Sequence, residues 1–193
     1  MKIQKFSIRT PQFVHLKAAF TPEEMEQISY LEELQKFKKG TIGTDTTKLD
    51  IRDADISWFN PDVTSNWLFE KYSYLVSQVN RDFFLLDIDG FENFQYTVYN
   101  PEQHYTWHYD VDMKYSEFMR KISGVIMVSN PKTDFEGGEF QIVTTGNIEE
   151  PTTVDMEQGD VIFFASWMPH RVKPVTSGKR KTLVSWVMGK NNG

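Results

Sequence analysis

The sequence predicts an α+β fold that is mainly β: helices in the first half, then an antiparallel barrel or sandwich of short strands. Two patterns carry this. Apolar residues recur at helical spacing in two stretches before residue 88. From Phe91 onward the period shortens to two, and turn clusters cut the chain into short β-branched or aromatic runs. Aromatic residues fill 15% of the 193 positions, bulky surface enough to build a core and to exclude disorder.

The first helix opens at Thr21-Pro22-Glu23-Glu24. Thr21 can cap, Pro22 suits the first helical position and Glu24 completes a capping box. Met25, Ile28, Leu31 and Leu34 follow as one stripe, and Lys39-Gly40 ends the run. A second helix is expected from about Thr64-Ser65, with Leu68, Tyr72, Leu75, Val76, Val79 and Phe83 as its apolar face. Residues 41–60 show turn residues and no sustained period, so a connection is expected there. Then come the strands: Phe94, Tyr96 and Val98 alternate with Gln95, Thr97 and Tyr99. Ile122 to Ser129, Glu139 to Thr144, Val161 to Ala165 and Lys181 to Met188 follow, with turns at Asn130-Pro131, Gly137-Gly138, Gly159-Asp160 and Ser177-Gly178. One domain is expected across residues 1–193, helical to about 88 and a β-barrel from about 89 to 190.

Composition excludes several function classes. The net charge of −6 argues against a general nucleic-acid binder, which shows a basic surface. With no cysteine there is no disulfide framework, thiolate zinc site or thiol catalysis. The first residues carry no apolar signal region, and no run of about 18 apolar residues exists, so a cytoplasmic location without membrane attachment is expected.

Only four histidines are present: His15, His104, His108 and His170. His108-Tyr109-Asp110 is an H-x-D, and on extended backbone residues two apart point the same way. Alone, this reads by default as a solvated histidine near a loop aspartate. His170 follows the apolar run Val161-Ile162-Phe163-Phe164 and supplies a second imidazole. Two histidines and one carboxylate form the facial triad of non-haem Fe(II) sites, which leaves coordination positions open. Neither His15 nor His104 has a carboxylate at ligand spacing. Proton competition at such imidazoles is expected near their ordinary pKa of about 6.5. Arg180 stands ten residues after His170 and opens a strand on which Arg180, Thr182, Val184 and Trp186 share one face. Val184 and Trp186 are core types, so that face is expected to point inward, where a guanidinium requires an anion. The alternative is a solvated basic turn, Lys179-Arg180-Lys181.

In order along the chain stand the H-x-D, Gly137-Gly138-Glu139, and a distal H-x-V-x-P-V-x-x-G-x-R from His170 to Arg180. This set, over about residues 90–188, resembles the Fe(II)/2-oxoglutarate dioxygenases, in the prolyl 4-hydroxylase-like branch that includes PKHD-type hydroxylases. The resemblance implies a double-stranded β-helix, a cupin-like jelly-roll barrel flanked by helices. It implies Fe(II) held by His108, Asp110 and His170, and Arg180 on the distal carboxylate of the co-substrate 2-oxoglutarate. It places Tyr99, Tyr105 and Thr182 near that co-substrate, with O2 as oxidant and ascorbate as a reductant. Some members carry a tyrosine on the strand after the H-x-D; here that stretch reads Ile126-Met127-Val128-Ser129.

The resemblance favours a prolyl residue in a peptide or protein as substrate; a free amino acid or another small molecule stays open. Trp107, Tyr109 and Trp167 are expected near the metal, and Arg52, Asp55, Trp58 and the Lys114 to Arg120 segment are candidate substrate contacts. Two other classes fit parts of the pattern. A cupin-like metal-binding barrel has no use for Arg180, and a β-sandwich interaction domain has none for the triad.

Overall fold

The capping box forms as the sequence requires. Thr21 Oγ1 accepts from the Glu24 amide while the Glu24 carboxylate accepts from the Thr21 amide at 2.7 Å. The structure is a computed structural model and describes residues 13–41, 48–111 and 117–191. Along the chain lie β1 (Phe13–Leu16), α1 (Pro22–Glu33), β2 (Lys38–Lys39), β3 (Arg52–Asp53), β4 (Asp55–Phe59) and α2 (Asn66–Val79), the last running into a π-helical turn at Asn80–Phe84. Then follow β5 (Gly90–Phe91), β6 (Phe94–Tyr99), β7 (His104–His108), β8 (Phe118–Met127), β9 (Phe135–Gly137), β10 (Phe140–Ile142) and β11 (Thr152–Thr153). The chain finishes with β12 (Val161–Ala165), β13 (His170–Val172), β14 (Val175–Gly178) and β15 (Arg180–Lys190).

The strands form two main antiparallel layers. One runs β1-β12-β8-β15-β6-β4-β2, with β5 also beside β15; the other runs β11-β10-β13-β7-β3, and β14 pairs with β9. This is a jelly-roll with unclosed sheets and helices on one side. The helices cover the outer face of the larger sheet, where Met25, Ile28, Leu31, Leu68, Tyr72 and Val76 meet Phe94, Tyr96, Ile126, Phe163, Leu183 and Val187. Burial of each such side chain stabilises by about 1.5–3 kcal/mol. The space between the sheets holds a second cluster that includes Val125, Met127, Phe140, Ile162, Phe164 and Val172. Strand β12 therefore has both faces buried, which is why Val161-Ile162-Phe163-Phe164 reads as a continuous apolar run.

Four expectations change. Leu34 caps α1 and is exposed, because the helix ends there; Lys38–Lys39 already belongs to β2. The π-helical turn adds a residue to its loop and slips the phase, so Phe84 is buried and Phe83 exposed. The expected connection 41–60 contains β3 and β4, and strands β1 to β4 all lie within the expected helical part, joining both layers. Of the Lys114 to Arg120 segment, Phe118 to Arg120 belong to strand β8 and not to a connection, and 112–116 lie outside the described residues.

Candidate metal centre and cavity

His108 ends β7, and His170 opens β13 directly opposite it in the ladder. Asp110, two residues on, is held by its own amide donating to the Ser166 carbonyl at 2.9 Å. The three ligand atoms lie within 4.8 Å of one another, the only such group among the described residues. The Asp110 carboxylate is 3.7 Å from His108 Nε2 and 3.4 Å from His170 Nε2. Each imidazole donates from Nδ1 to a main-chain carbonyl, His108 to Thr106 at 2.8 Å and His170 to Met168 at 2.9 Å. Those carbonyls fix the tautomer, so each ring in its neutral form turns an Nε2 lone pair toward a carboxylate. Three acceptors converging without a proton between them are a donor set for a cation, and the N2O composition suits Fe(II).

Burial, then His170, holds the His108 pKa down at about 3, with Asp110 opposing. The imidazole therefore stays neutral far below the ordinary 6.5 expected from sequence. Burial works against Asp110 ionisation, but His170, His108 and the Ser123 hydroxyl outweigh it and hold the carboxyl below its usual range. Ser123 was not foreseen. Its hydroxyl donates to Asp110 Oδ2 at 2.7 Å and lies 3.0 Å from Ser166 Oγ, both serines fully buried.

A cavity of about 550 Å³ opens beside the triad, and its inner wall is β15 and β6. On β15, Arg180, Thr182, Val184 and Trp186 face it, while Leu183 and Val187 pack under the helices and Lys181 pairs with Glu32 at 2.8 Å. Gly178, at φ +72°, turns the chain into this strand; a Cβ there would stand 2.0 Å from the Asp134 carbonyl. Arg180 is 1% exposed, and its Nε and Nη2 have no hydrogen-bond partner among the described residues. A Cβ at Gly138 would approach Arg180 Cδ to 2.9 Å, so the Gly137-Gly138 pair leaves room for the arginine stem. Burial lowers the Arg180 pKa to about 10, partly offset by Tyr99, so it remains a cation at neutral pH. Its guanidinium lies 5.7 Å from the Tyr99 ring centre. Tyr99 is buried, which raises its pKa, and Thr182 is 1% exposed beside it on the adjoining strand.

Tyr105 stacks on His108 with ring centres 3.4 Å apart and planes 9° from parallel. Residues three apart on a regular strand face opposite ways. Here the ladder slips, since His170 pairs with His108 but Val172 with Tyr105, and that bulge turns both rings to the cavity. The Tyr105 pKa is pushed up to about 12 by burial. Of the three aromatics expected near the metal only Tyr109 lines the cavity; the Arg171 guanidinium lies over the outer face of Trp107, and Trp167 is 48% exposed. Trp58 and Trp186 take that place, 6.0 Å apart, with Arg120 over Trp186 at 3.9 Å and paired to Glu92 at 2.6 Å. Arg52 also faces the cavity, whereas Asp55 pairs with Lys39 at 3.2 Å. His15 pairs with Asp160 at 2.8 Å, and His104 contacts only main-chain carbonyls.

A jelly-roll carrying two histidines and an aspartate beside a buried, unpaired arginine defines the class of mononuclear metal oxygenases that bind an acidic co-substrate. Residues 94–188, just under half of the chain, match the family model of the 2OG-Fe(II) oxygenase superfamily. A PKHD-type hydroxylase of Alteromonas mediterranea is 30% identical over 93 residues, 46% of this chain and 40% of the relative. The chain spans about two fifths of the length of the curated relatives it matches. Among solved structures, a Pseudomonas putida prolyl-4-hydroxylase superposes with a TM-score of 0.73 at 18% identity, covering 93% of this chain and 94% of that one. A Trichoplax adhaerens prolyl hydroxylase, solved with a hypoxia inducible factor peptide fragment, gives 0.77 at 19% identity, covering 92% and 84%. At such identities the likeness establishes the fold. Among the described residues no helix is long and apolar enough to cross a membrane.

Proposed function

We propose that the protein is an Fe(II)- and 2-oxoglutarate-dependent dioxygenase that hydroxylates a C–H bond, with a prolyl residue of a peptide or protein as the favoured substrate and succinate and CO2 as co-products. The reading treats the chain as one catalytic unit, uses O2, and admits ascorbate as a reductant of the metal. The observation that carries it is the pairing of two features in one cavity: the His108–Asp110–His170 donor set and the buried, unpaired Arg180. A metal-binding barrel without a co-substrate leaves that cation unexplained.

His108, Asp110 and His170 would hold the metal, which when bound activates O2 at the expense of the 2-oxo acid. Thr106 and Met168 keep the two imidazoles in the ligating tautomer, and Ser123 fixes one carboxylate oxygen of Asp110. Arg180 would take the distal carboxylate of 2-oxoglutarate through a forked contact, with Thr182 and Tyr99 forming the walls beside it. Tyr105 shields His108 from water by stacking on it. Trp58, Trp186 and Tyr109 would orient the substrate at the mouth. The names of the relatives, PKHD-type hydroxylase and prolyl-4-hydroxylase, support the prolyl substrate class.

The test is anaerobic addition of Fe(II) and then 2-oxoglutarate, which should give a weak visible absorption band that neither gives alone. A panel of prolyl peptides and free amino acids scored by succinate release then addresses the substrate. A protein that binds Fe(II) but shows no band and no succinate with any member is a metal-binding barrel, and the reading falls.

A further inference from the structure

Strand β3 is two residues long, yet it brings a second arginine to the cavity. Arg52 pairs in the ladder with Tyr105, and its side chain crosses from the smaller sheet toward the larger one. It is 8% exposed. Nη2 donates to Gln95 Oε1 at 2.5 Å and Nη1 to the Thr41 carbonyl at 3.3 Å. The guanidinium lies over the Tyr105 ring, 4.9 Å from its centre, and Tyr105 in turn covers His108. Both acceptors are neutral, Nε has no partner, and no carboxylate pairs with Arg52 among the described residues. Dipoles position a buried cation without cancelling its charge.

Among the described residues, the charges around the cavity do not balance without a further anion. Its lining carboxylates are Asp110 and Glu92, and Glu92 is engaged by Arg120. Against them stand Arg52 and Arg180, with Lys38 exposed at the rim. A divalent metal and the two carboxylates of 2-oxoglutarate cancel each other, and Asp110 offsets Arg180. Arg52 is left over, in a chain whose overall charge is −6. The positive cavity is thus a local feature that draws anions in.

We propose that Arg52 is a specificity-determining residue, which receives a carboxylate on the substrate that is hydroxylated. The inference rests on the dioxygenase reading, because it takes Arg180 as engaged by 2-oxoglutarate. Gln95 Oε1, the Thr41 carbonyl and the Tyr105 face hold the guanidinium, and each Nη keeps a second hydrogen for an incoming group in the cavity that Arg52 lines. The substrate class is then a peptide with an acidic residue or free carboxyl terminus near the target carbon, or a free amino acid. A neutral internal segment leaves Arg52 unmatched.

The test uses the full chain loaded with Mn(II) and saturated with 2-oxoglutarate, so that the site is occupied but does not turn over. Calorimetry compares N-acetyl-L-proline with N-acetyl-L-prolinamide, and N-acetyl-L-leucine with its amide; each pair differs only in charge. The acids should bind tighter than the amides by about 10- to 100-fold, the range of a hydrogen bond to a charged group. Arg52→Gln should bring that ratio to about one and leave 2-oxoglutarate affinity as it was, and Arg52→Lys should keep a reduced preference. A ratio near one in the unaltered protein overturns the proposal, as does a ratio retained in Arg52→Gln. Loss of 2-oxoglutarate binding in Arg52→Gln with the acid preference intact would move Arg52 to the co-substrate site, and also overturns it. Should Arg52→Gln fail to fold, the ratios of the unaltered protein and of Arg52→Lys decide. Failure of the unaltered protein to bind 2-oxoglutarate at all, read before any probe is added, brings down the dioxygenase reading and this one with it.

Discussion

Arg180→Ala separates an oxygenase from a bare metal barrel. The guanidinium is essentially sealed from solvent, and two of its nitrogens have no partner among the described residues. A ligand carboxylate therefore meets a cation that water does not screen, and truncating one side of such a pair costs about 2–5 kcal/mol. At 1.4 kcal/mol per tenfold, the 2-oxoglutarate affinity of the Mn(II)-loaded protein should fall by roughly 30- to 5,000-fold. Mn(II) affinity without co-substrate should not change, since Arg180 is not among the three converging ligands. The ligand-free variant should melt close to the unaltered protein, because losing an unpaired buried charge offsets the lost packing. Thermal shift reads both arms: at about 100 times the unaltered protein's Kd, 2-oxoglutarate should stabilise the unaltered protein by about 2.7 kcal/mol and Arg180→Ala by less than about 1 kcal/mol. Arg180→Lys should recover part of the affinity, as an ammonium cannot make two parallel bonds. Lys181→Ala is the control, its side chain lying on the opposite face with Glu32. If Lys181→Ala loses 2-oxoglutarate while Arg180→Ala retains it, the pocket assignment is refuted.

Asp110→Ala removes the carboxylate from the donor set and should abolish Mn(II) binding and turnover, while His104→Ala leaves both; full iron-dependent activity in Asp110→Ala would refute the metal site. Ser123→Ala should lower metal affinity by about 10- to 100-fold, the usual effect of releasing a ligand's hydrogen-bond partner, and a Mn(II) titration equal to the unaltered protein would show that Ser123 does not orient Asp110. Asp160 ties the start of the chain to the barrel, accepting from the Ala18 amide at 2.8 Å, the Glu157 amide at 2.9 Å and His15 at 2.8 Å. Burial disfavours its ionised form, but those donors outweigh burial and lower its pKa. A lowered folded-state pKa gives stability that is present above the unfolded value of about 3.9 and lost as pH falls through the folded one. Asp160→Asn should therefore lower stability at neutral pH by about 1–3 kcal/mol and flatten the acid limb below about pH 4. Melting curves from pH 7 to pH 3 that superimpose for both proteins would contradict this.

How much was legible depended on whether a residue sat in a regular period. Arg180 could be placed because Val184 and Trp186 are core types, and alternation puts Arg180 and Thr182 on their face of β15, which lines the cavity while Leu183 and Val187 pack under the helices. The triad was legible as types and order, since its ligands lie at strand ends that an apolar run brackets. Arg52 was legible only as a candidate contact alongside Asp55 and Trp58, and its facing was not, because a two-residue strand has no period and 41–60 reads as a connection. The facing of Tyr105 and Trp107 was hidden by the bulge in β7, which depends on pairing with β13. Phe84 was hidden by a π-helical turn that sequence spacing does not announce. Ser123 had a faint signal, a hydroxyl within the apolar Ile122 to Met127 run, but its meaning required Asp110 to be in space beside it.

The two-sided burial of β6 and β15 has a consequence for how this scaffold can change. Each strand is a double row of teeth, one engaging the helices and the other facing the cavity. Substitutions in the inner row, at Gln95, Thr97, Thr182 or Val184, alter the chemistry offered to a ligand without disturbing the helical contacts of Phe94, Tyr96, Leu183 and Val187. Single-residue insertions do the opposite. One added position after Arg180 would hand each later inner site to an outer residue and carry Val184 and Trp186 beneath the helices. The chain is therefore free to vary its site by replacement and closed to varying it by length along these strands. Changes of length are left to the turns, where Gly178 and its like already set the phase before each strand begins.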